Sequence, residues 1–535
     1  MNRRNRSERR KNQEVFGGPS PYIKRNIPFF DILDEEQLQI IEGQVDWLIE
    51  NIGIAFRDDP TALSIWRKAG IKPCGEYGDL IRADAKLIRK LCSFAPSKFT
   101  QHARNPNRSV TIGGVNQVFA PIYGAPFVRD LKGGRRYAKL EDFQKLVKLT
   151  FMHPNLHHGS FVIAEPTDIP VSQRHLDMML AHMVLSDKPH LGAITEKSRA
   201  QDAIDMVEIV FGADKLKNDV CIMANVNTNS PLLVDKVASE AIQVYSGRGQ
   251  AMVVTPFILS GAMGPVSTTA AIAQAMAEVM VCCAFTQLVY KGAPFVMGNF
   301  LSSMSLKSGA PTFGMPEPVL SNYVIGQLAR RVGLPLRCGG SLTASKIEDA
   351  QAAFESADSM HSTMMAGSNF TLHAAGWLEG GLVTGFEKLI MDADRLGSYQ
   401  KLLHIGLETD ENALAREAYN QVRPGGHFLG SDHTMQNYKE AFYEPKLSDS
   451  ENVESWEDSG SKDMRERAYE RWNNMLGNYE APLLDASKKE ELHEYVIRRK
   501  NGNTRGVVLD FLTFSKLLMF SYIIENAISV WRSPY

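Results

Sequence analysis

The middle of the chain alternates short apolar runs with segments of helical period. The runs are Val118–Tyr123, Ser160–Ala164, Pro189–Ile194, Val220–Val226, Ala251–Ile258, Ala293–Phe300, Leu336–Cys338 and Asn369–Ala374. Each is followed by a helical pattern: Leu140–Met152, a segment beginning near Ser172, Ser198–Phe211, Pro231–Tyr245, Thr268–Tyr290, Pro318–Val332, Ile347–Met365, and Gly385 to Met391 and beyond. Val, Ile and Phe fill the runs, while Ala, Met and Gln fill the helices, as their propensities favour. Eight strand–helix units in succession predict a (β/α)8 TIM barrel. A doubly wound open sheet is the rival architecture. It would advertise a GxGxxG turn with an acidic residue about 20 positions later, and no such turn follows any run.

The flanks read differently. Residues 1–25 form a basic arm, with Arg3, Arg4, Arg6, Arg9, Arg10 and Lys11, and are expected to be disordered. Residues 26–110 read as mainly helical, through Glu35–Ile52 and Asp84–Phe94, and the turn-rich Thr111–Gly114 leads into a barrel spanning 111–395. Residues 396–501 read as helices broken by a loop at Arg423–His433, with an acidic surface stretch at Ser448–Asp463. The apolar tail 502–535 carries Asp510, Lys516 and Glu525, which argue against a membrane-spanning helix.

Composition narrows the function only by exclusion. The 535 residues are 44% hydrophobic and 22% charged, with a net charge of −2. A soluble globule follows, with no general basis for binding nucleic acid or an anionic membrane. Six cysteines are scattered with no CxxC pair, and no His/Cys cluster has zinc spacing. No permanently bound metal is expected, and reduced thiols suit a cytoplasmic location.

A barrel of this kind builds its site at the C-terminal ends of its strands. That rule selects Glu165 and Glu196 as carboxylates able to face a cation, together with Asn225, Asn227 and His373. The aromatics Phe257, Phe300, Phe313 and Trp377 are candidates for a quaternary-ammonium cage, although strand alternation makes core packing the competing role of Phe257 and Phe300. His157 and His158 sit at the entry side of their run and read as scaffolding. Gly261, Met263 and Gly264 lie in a Gly-rich loop before the alanine-rich helix. That loop lacks the GK[ST] ending of a phosphate cradle, so close backbone approach to a planar ligand is its other use. The stretch Gly339 to Glu355, GGSLTASKIEDAQAAFE, has the plan of a strand end, a polar turn and a helix start.

Several motifs in order then resemble one family. They are Val128-Arg129-Asp130 through Arg135-Arg136, Asn229-Ser230-Pro231-Leu232, the Gly261–Val266 loop, Gly339–Glu355, Phe386-Glu387-Lys388, Pro424-Gly425-Gly426-His427-Phe428-Leu429 and Asp432-His433-Thr434. Together they resemble the trimethylamine methyltransferase family, over about residues 25 to 500. The founding members of that family use pyrrolysine, whereas this chain is written in the twenty standard residues. It therefore resembles the non-pyrrolysine branch, whose members demethylate quaternary amines such as glycine betaine.

The resemblance implies transfer of a methyl group from a quaternary amine to a corrinoid (cobalamin) carried by a small partner protein. The corrinoid-binding motif DxHxxG is missing from this chain. Under this reading Glu165, Asn225, Asn227, Phe300, Phe313, His373 and Trp377 meet the substrate. Gly261, Met263, Gly264, Gly339, Gly340, Ser345 and Lys346 meet the cofactor. A homo-oligomer is compatible with it. The same fold could act on another methylated amine, betaine or sulfonium, or bind quaternary amines without turnover. One departure stands out: Ala344 occupies the position before Ser345-Lys346 where the family often has Asp.

Overall fold

The computed structural model describes residues 22–405, 407–439 and 441–503. Six regular strands pair side by side, all parallel, in the order Met223–Thr228, Ala251–Ser260, Phe295–Gly298, Leu336–Gly339, Phe370–Leu372 and Asn116–Phe119. Two irregular segments, 157–163 and 189–193, bridge the remaining gap. Phe119 O accepts from His157 N at 2.9 Å, and Gly124 N donates to Val162 O at 2.7 Å. Gly159 N donates to Pro189 O and Gly192 N to Met223 O, each at 2.8 Å. Eight staves thus form the ring, and the fold is a (β/α)8 barrel with helical additions.

Side chains explain why the second and third runs are not regular strands. His157 Nδ1 accepts from Phe119 N at 3.0 Å, and His158 Nδ1 from Ser160 N at 2.9 Å. Imidazole nitrogens thus accept bonds that carbonyls would take in a ladder. Ser160 adopts φ +57°, which breaks the extended course. Lys188 secures the next stave. Its buried Nζ donates to the carbonyls of Thr150, His153 and Leu156 at 2.8, 2.9 and 2.6 Å, capping the helix Leu140–Met152.

The eight helices are Leu140–Met152, Arg174–Leu185, Lys197–Phe211, Lys236–Gly247, Thr268–Val289, Pro316–Val332, Ala350–Ala366 and Phe386–Ile405. The fourth begins later than the expected Pro231, because Leu232 takes φ +57° and Leu233–Val234 pairs as a strand with Ile54–Phe56. Asp235 then caps it by accepting from Ala238 N. Thr268–Val289 is long and apolar enough to cross a membrane, yet 89% of its apolar window is buried. Its small alanines let it pack against the helices Glu35–Trp47 and Ala85–Cys92 of the N-terminal layer.

Over residues 26–110 helices predominate, Glu35–Trp47, Pro60–Lys68 and Ala85–Cys92 being the longest, with the short strands Ile54–Phe56, Leu80–Ile81 and Lys98–Gln101 beside them. Four expectations about the flanks need correction. The end of the basic arm is ordered: Ile23–Lys24 pairs antiparallel with Asn116 and Gln117, and buried Arg25 donates to Met364 O at 2.6 Å. The boundary at 395 falls inside the helix Phe386–Ile405, which also packs against Met464–Gly477. The expected loop Arg423–His433 contains a 3-10 turn at Phe428–Gly430 and runs into the helix Asp432–Asn437. The acidic stretch likewise holds a short helix, Val453–Asp458. Residues 1–21 and the apolar tail from 504 lie outside the described residues.

The buried histidines make stability depend on acid. Burial holds His182 down to about 3 and His190 down to about 4, and the two rings stack at 5.3 Å. Native rings stay neutral while unfolded ones protonate below about pH 6.5, so the unfolded chain binds more protons and stability falls as pH drops. Between pH 7 and pH 5 each ring should cost about 2 kcal/mol. Denaturant midpoints at the two pH values measure this, and His182→Gln should remove about half of the pair's contribution. Equal stability at both pH values would contradict neutral burial.

Candidate active site

The eighth strand, Phe370–Leu372, delivers His373 at the C-terminal end of the barrel. His373 takes φ +61°, a region non-glycine residues seldom adopt. Its Nδ1 accepts from Tyr123 N at 3.2 Å, so the neutral ring carries its proton on Nε2. Burial, and then the nearby charge of Arg337, hold the imidazole well below its usual range. The ring stacks on Phe300 at 5.4 Å and meets Trp377 edge-on at 4.6 Å. Trp377 contacts Phe300 at 5.8 Å and Phe313 at 5.7 Å, and Phe257 lies 5.1 Å from Phe300.

Residues distant in sequence therefore form one aromatic cluster at the mouth. Phe313, His373 and Trp377 are buried, whereas Phe257 and Phe300 keep part of their surface exposed. Ring faces in such an arrangement attract a cation at about 0.5–2 kcal/mol each. A cavity of about 20 Å³ adjoins Phe300 and Phe313, with Asn299 and Asn322 in its wall, and has room for about one water. Arg337 lies against the same cluster. It is 1% exposed, with Cζ 5.1 Å from the Phe300 centroid, and Nη1 donates to Asn299 O at 3.1 Å. Burial lowers its pKa to about 10, so it remains charged at neutral pH.

The other expected residues divide. Glu165 is at the mouth, but it is paired with Arg174 at 2.6 Å rather than left for a ligand cation. Its carboxylate adds to burial in pushing the Tyr123 phenol upward. Asn225 is buried and accepts from Thr255 Oγ1 at 3.1 Å, whereas Asn227 is exposed at its strand end. Glu196 is paired with Arg199 at 2.8 Å. Gly261 is exposed at φ +95°, with Met263 and Gly264 half-buried beside it.

Gly339 and Gly340 face packing rather than open space. A Cβ on Gly340 would sit 2.5 Å from Ala374 Cα, and one on Gly339 would sit 2.8 Å from a Leu342 methyl. Ser345 is buried against Asp349 at 2.9 Å, and Lys346 is exposed with Nζ on Ala344 O. The seventh loop thus acts chiefly as a backing for the cluster. Trp377 Nε1 donates to Thr343 O at 3.1 Å.

Carboxylates on the surrounding helices pin the mouth loops. Glu278, 0% exposed, accepts from Thr228 Oγ1 at 2.5 Å, Ser230 Oγ at 2.7 Å, Leu232 N at 2.8 Å and Gln274 Nε2 at 3.0 Å. Gln274, one turn earlier, also donates to Met263 O at 3.0 Å. One helix face therefore fixes both the Asn229–Leu232 loop and the Gly-rich loop. Glu355 holds the seventh loop by accepting from Thr343 Oγ1 at 2.6 Å and Ala344 N at 2.7 Å. Buried Asp392 accepts from Gly376 N at 2.9 Å and pairs with Lys388 at 2.5 Å, so it holds the turn before Trp377.

Sequence reasoning overlooked Arg337, Glu278 and the clamp by Glu355. Arg337 carried a usable signal: a charge between Leu336 and Cys338 inside a barrel strand needs a reason, as His373 did. Glu278 is an acid within an otherwise apolar helix, and the same rule applies.

The aromatic cluster and the polar loops lie at the C-terminal mouth, the end at which enzymes of the (β/α)8 barrel class build their sites. The signature of the trimethylamine methyltransferase (MTTB) family matches residues 1–504. The chain belongs to this family and is a methyltransferase. It is 36% identical over 476 residues to a glycine betaine methyltransferase of Desulfitobacterium hafniense (strain Y51), covering 88% of this chain and 98% of that protein. It is 25% identical over 460 residues to the trimethylamine methyltransferase MttB of Desulfitobacterium hafniense (strain DSM 10664 / DCB-2), covering 83% and 89%. Among solved structures, the monomethylamine methyltransferase of Methanosarcina barkeri aligns with a TM-score of 0.45 at 10% identity, covering 85% of this chain and 90% of that one.

The Glu278 clamp predicts a large effect far from the cluster. Glu278→Ala leaves buried donors without an acceptor and should cost about 3 kcal/mol or more of stability. Thermal unfolding would measure it, and a loss below about 1 kcal/mol would refute the clamp.

Proposed function

We propose that the protein transfers a methyl group from a quaternary amine of the glycine betaine type to the corrinoid of a small partner protein in the cytoplasm. The observation that carries this reading is the cluster of Phe300, Phe313, Trp377 and neutral His373 at the barrel mouth. Similarity to the glycine betaine methyltransferase over most of both chains supports it.

The chemistry asks little acid–base work of the protein. The N–CH3 bond breaks with its electron pair remaining on nitrogen, so the leaving group is a neutral tertiary amine. No proton has to be supplied in that step, which suits a histidine held in its neutral form. The aromatic faces hold the cation, and the pinned loops fix the direction in which its methyl group points. Packing of Trp377 against Phe313 and Thr343 keeps that wall rigid.

The rim suits a planar, apolar-edged group brought by a partner. Val266 is 75% exposed, Leu306 83% and Phe354 69%, on the loops and helix start that follow the fifth, sixth and seventh strands. Gly261, Met263, Gly264 and Lys346 are the residues on these loops that would meet it. When bound, the corrinoid supplies a Co(I) nucleophile for the methyl group.

Anaerobic incubation with reduced cobalamin and glycine betaine should release dimethylglycine, measured by mass spectrometry. Failure across a panel of betaines, choline and sulfonium analogues would sink the proposal. Trp377→Ala should weaken glycine betaine binding about tenfold, as loss of one cation–π wall implies. Calorimetric titration reads that change.

A further inference from the structure

Arg337 poses a physical problem within a cation-binding site. Its guanidinium is buried to 1% exposure and lies against Phe300, the ring that also stacks on His373. Its Nη1 donates to the carbonyl of Asn299, and Nε has no acceptor. Among the described residues no carboxylate pairs with it. Of the acids on the mouth loops, Glu165 is paired with Arg174, Glu196 with Arg199 and Glu379 with Arg135, and Glu355 is bonded to the seventh loop. Glu348, also on the seventh loop, keeps a buried oxygen without a hydrogen-bond partner, but the cations acting on it are Lys388, Arg129 and Arg465. A buried charge without a counter-charge is costly, and here it would also repel a simple quaternary cation held by the adjoining rings.

Both difficulties disappear if the ligand carries its own anion. In a betaine the carboxylate is joined to the ammonium by a short carbon link, so one molecule can place its cation on the rings and its anion against the guanidinium. Arginine suits that role, because its forked N–H groups match a carboxylate. We propose that Arg337 binds the substrate carboxylate and makes the site selective for zwitterionic betaines over plain quaternary ammonium ions. The inference rests on the quaternary-amine reading above and adds the residue that discriminates within that class. Arg337 thereby gains the partner the chain itself withholds, and tetramethylammonium or choline meets a repulsive neighbour instead.

Calorimetric titration of the full-length protein, without corrinoid, separates the two ideas. The ligands are glycine betaine, choline (same trimethylammonium, no carboxylate) and 3,3-dimethylbutyrate (same carboxylate, no cation). Wild type should bind glycine betaine at least about tenfold more tightly than choline, as a charge-assisted bidentate pair implies. Measurable binding of dimethylbutyrate is also expected. Arg337→Gln should lose the preference, with betaine affinity falling by about tenfold or more and choline affinity unchanged or increased. Should that variant fail to fold, as circular dichroism would reveal, the wild-type ligand panel decides alone. Equal affinity of wild type for choline and glycine betaine overturns the proposal while leaving the quaternary-amine reading intact. Binding of dimethylbutyrate without either trimethylammonium ligand overturns the quaternary-amine reading and this proposal with it, leaving only an anion site.

Discussion

Closure of the barrel passes through two staves that are not strands, joined by a few backbone bonds and braced by buried side chains bonded to main chain. Parallel barrels leave no edge because every strand finds two neighbours. Here the ring between Asn116–Phe119 and Met223–Thr228 is completed by 157–163 and 189–193, neither of which can run a full ladder. A few backbone bonds still join them, such as Gly159 N to Pro189 O and Gly192 N to Met223 O, and the buried side chains of His157, His158 and Lys188 brace these segments by bonding to main chain. Their burial has an electrostatic consequence. Burial and the neighbouring histidines push His158 well below its usual range, and burial and the Arg108 charge do the same to Lys188. The acceptor role of His158 in turn requires an unprotonated Nδ1. Closure and protonation state are thus one constraint.

The same device recurs on the opposite, functional side of the ring. There the loops are held by side chains on the outer helices: Glu278 for the fourth loop, Gln274 beside it for the fifth, Glu355 for the seventh and Asp392 for the turn before Trp377. Each carboxylate collects several donors, which offsets the cost of its burial. A loop tied at backbone N–H groups can be irregular and still hold a side chain in one place. That is what the cluster of Phe300, His373 and Trp377 requires, because Phe300 follows the sixth strand and His373 and Trp377 sit on the segment after the eighth.

Much of this was legible in the sequence, for a physical reason. The eight-unit alternation is repeated local information, and each helix was found near its observed position because amphipathic period and capping are local. The candidate residues Phe300, His373 and Trp377 followed from one topological rule about strand ends, whereas Phe313 entered only as an aromatic side chain. What was not legible depends on long-range pairing. The second and third runs look like strands until His157 and His158 are seen to bond with neighbouring backbone. The small N-terminal sheet needs Leu233–Val234, about 180 residues away from its partner in the chain. Glu165 could not be known to be paired before Arg174 was placed beside it.

The departure at Ala344 also acquires a meaning. Its N–H donates to Glu355 Oε2 at 2.7 Å, and the same oxygen accepts from Thr343 Oγ1. An aspartate at this position would add a second carboxylate to the loop that Glu355 already holds. Alanine keeps Glu355 free to act as the loop's acceptor. The loop then holds Trp377 through the Thr343 carbonyl, with Glu379 N and Gly380 N bonding to the same stretch. With alanine there, the negative charge near the cluster is fixed in a structural bond. On the reading proposed above, the anion that meets Arg337 is the carboxylate of the substrate itself.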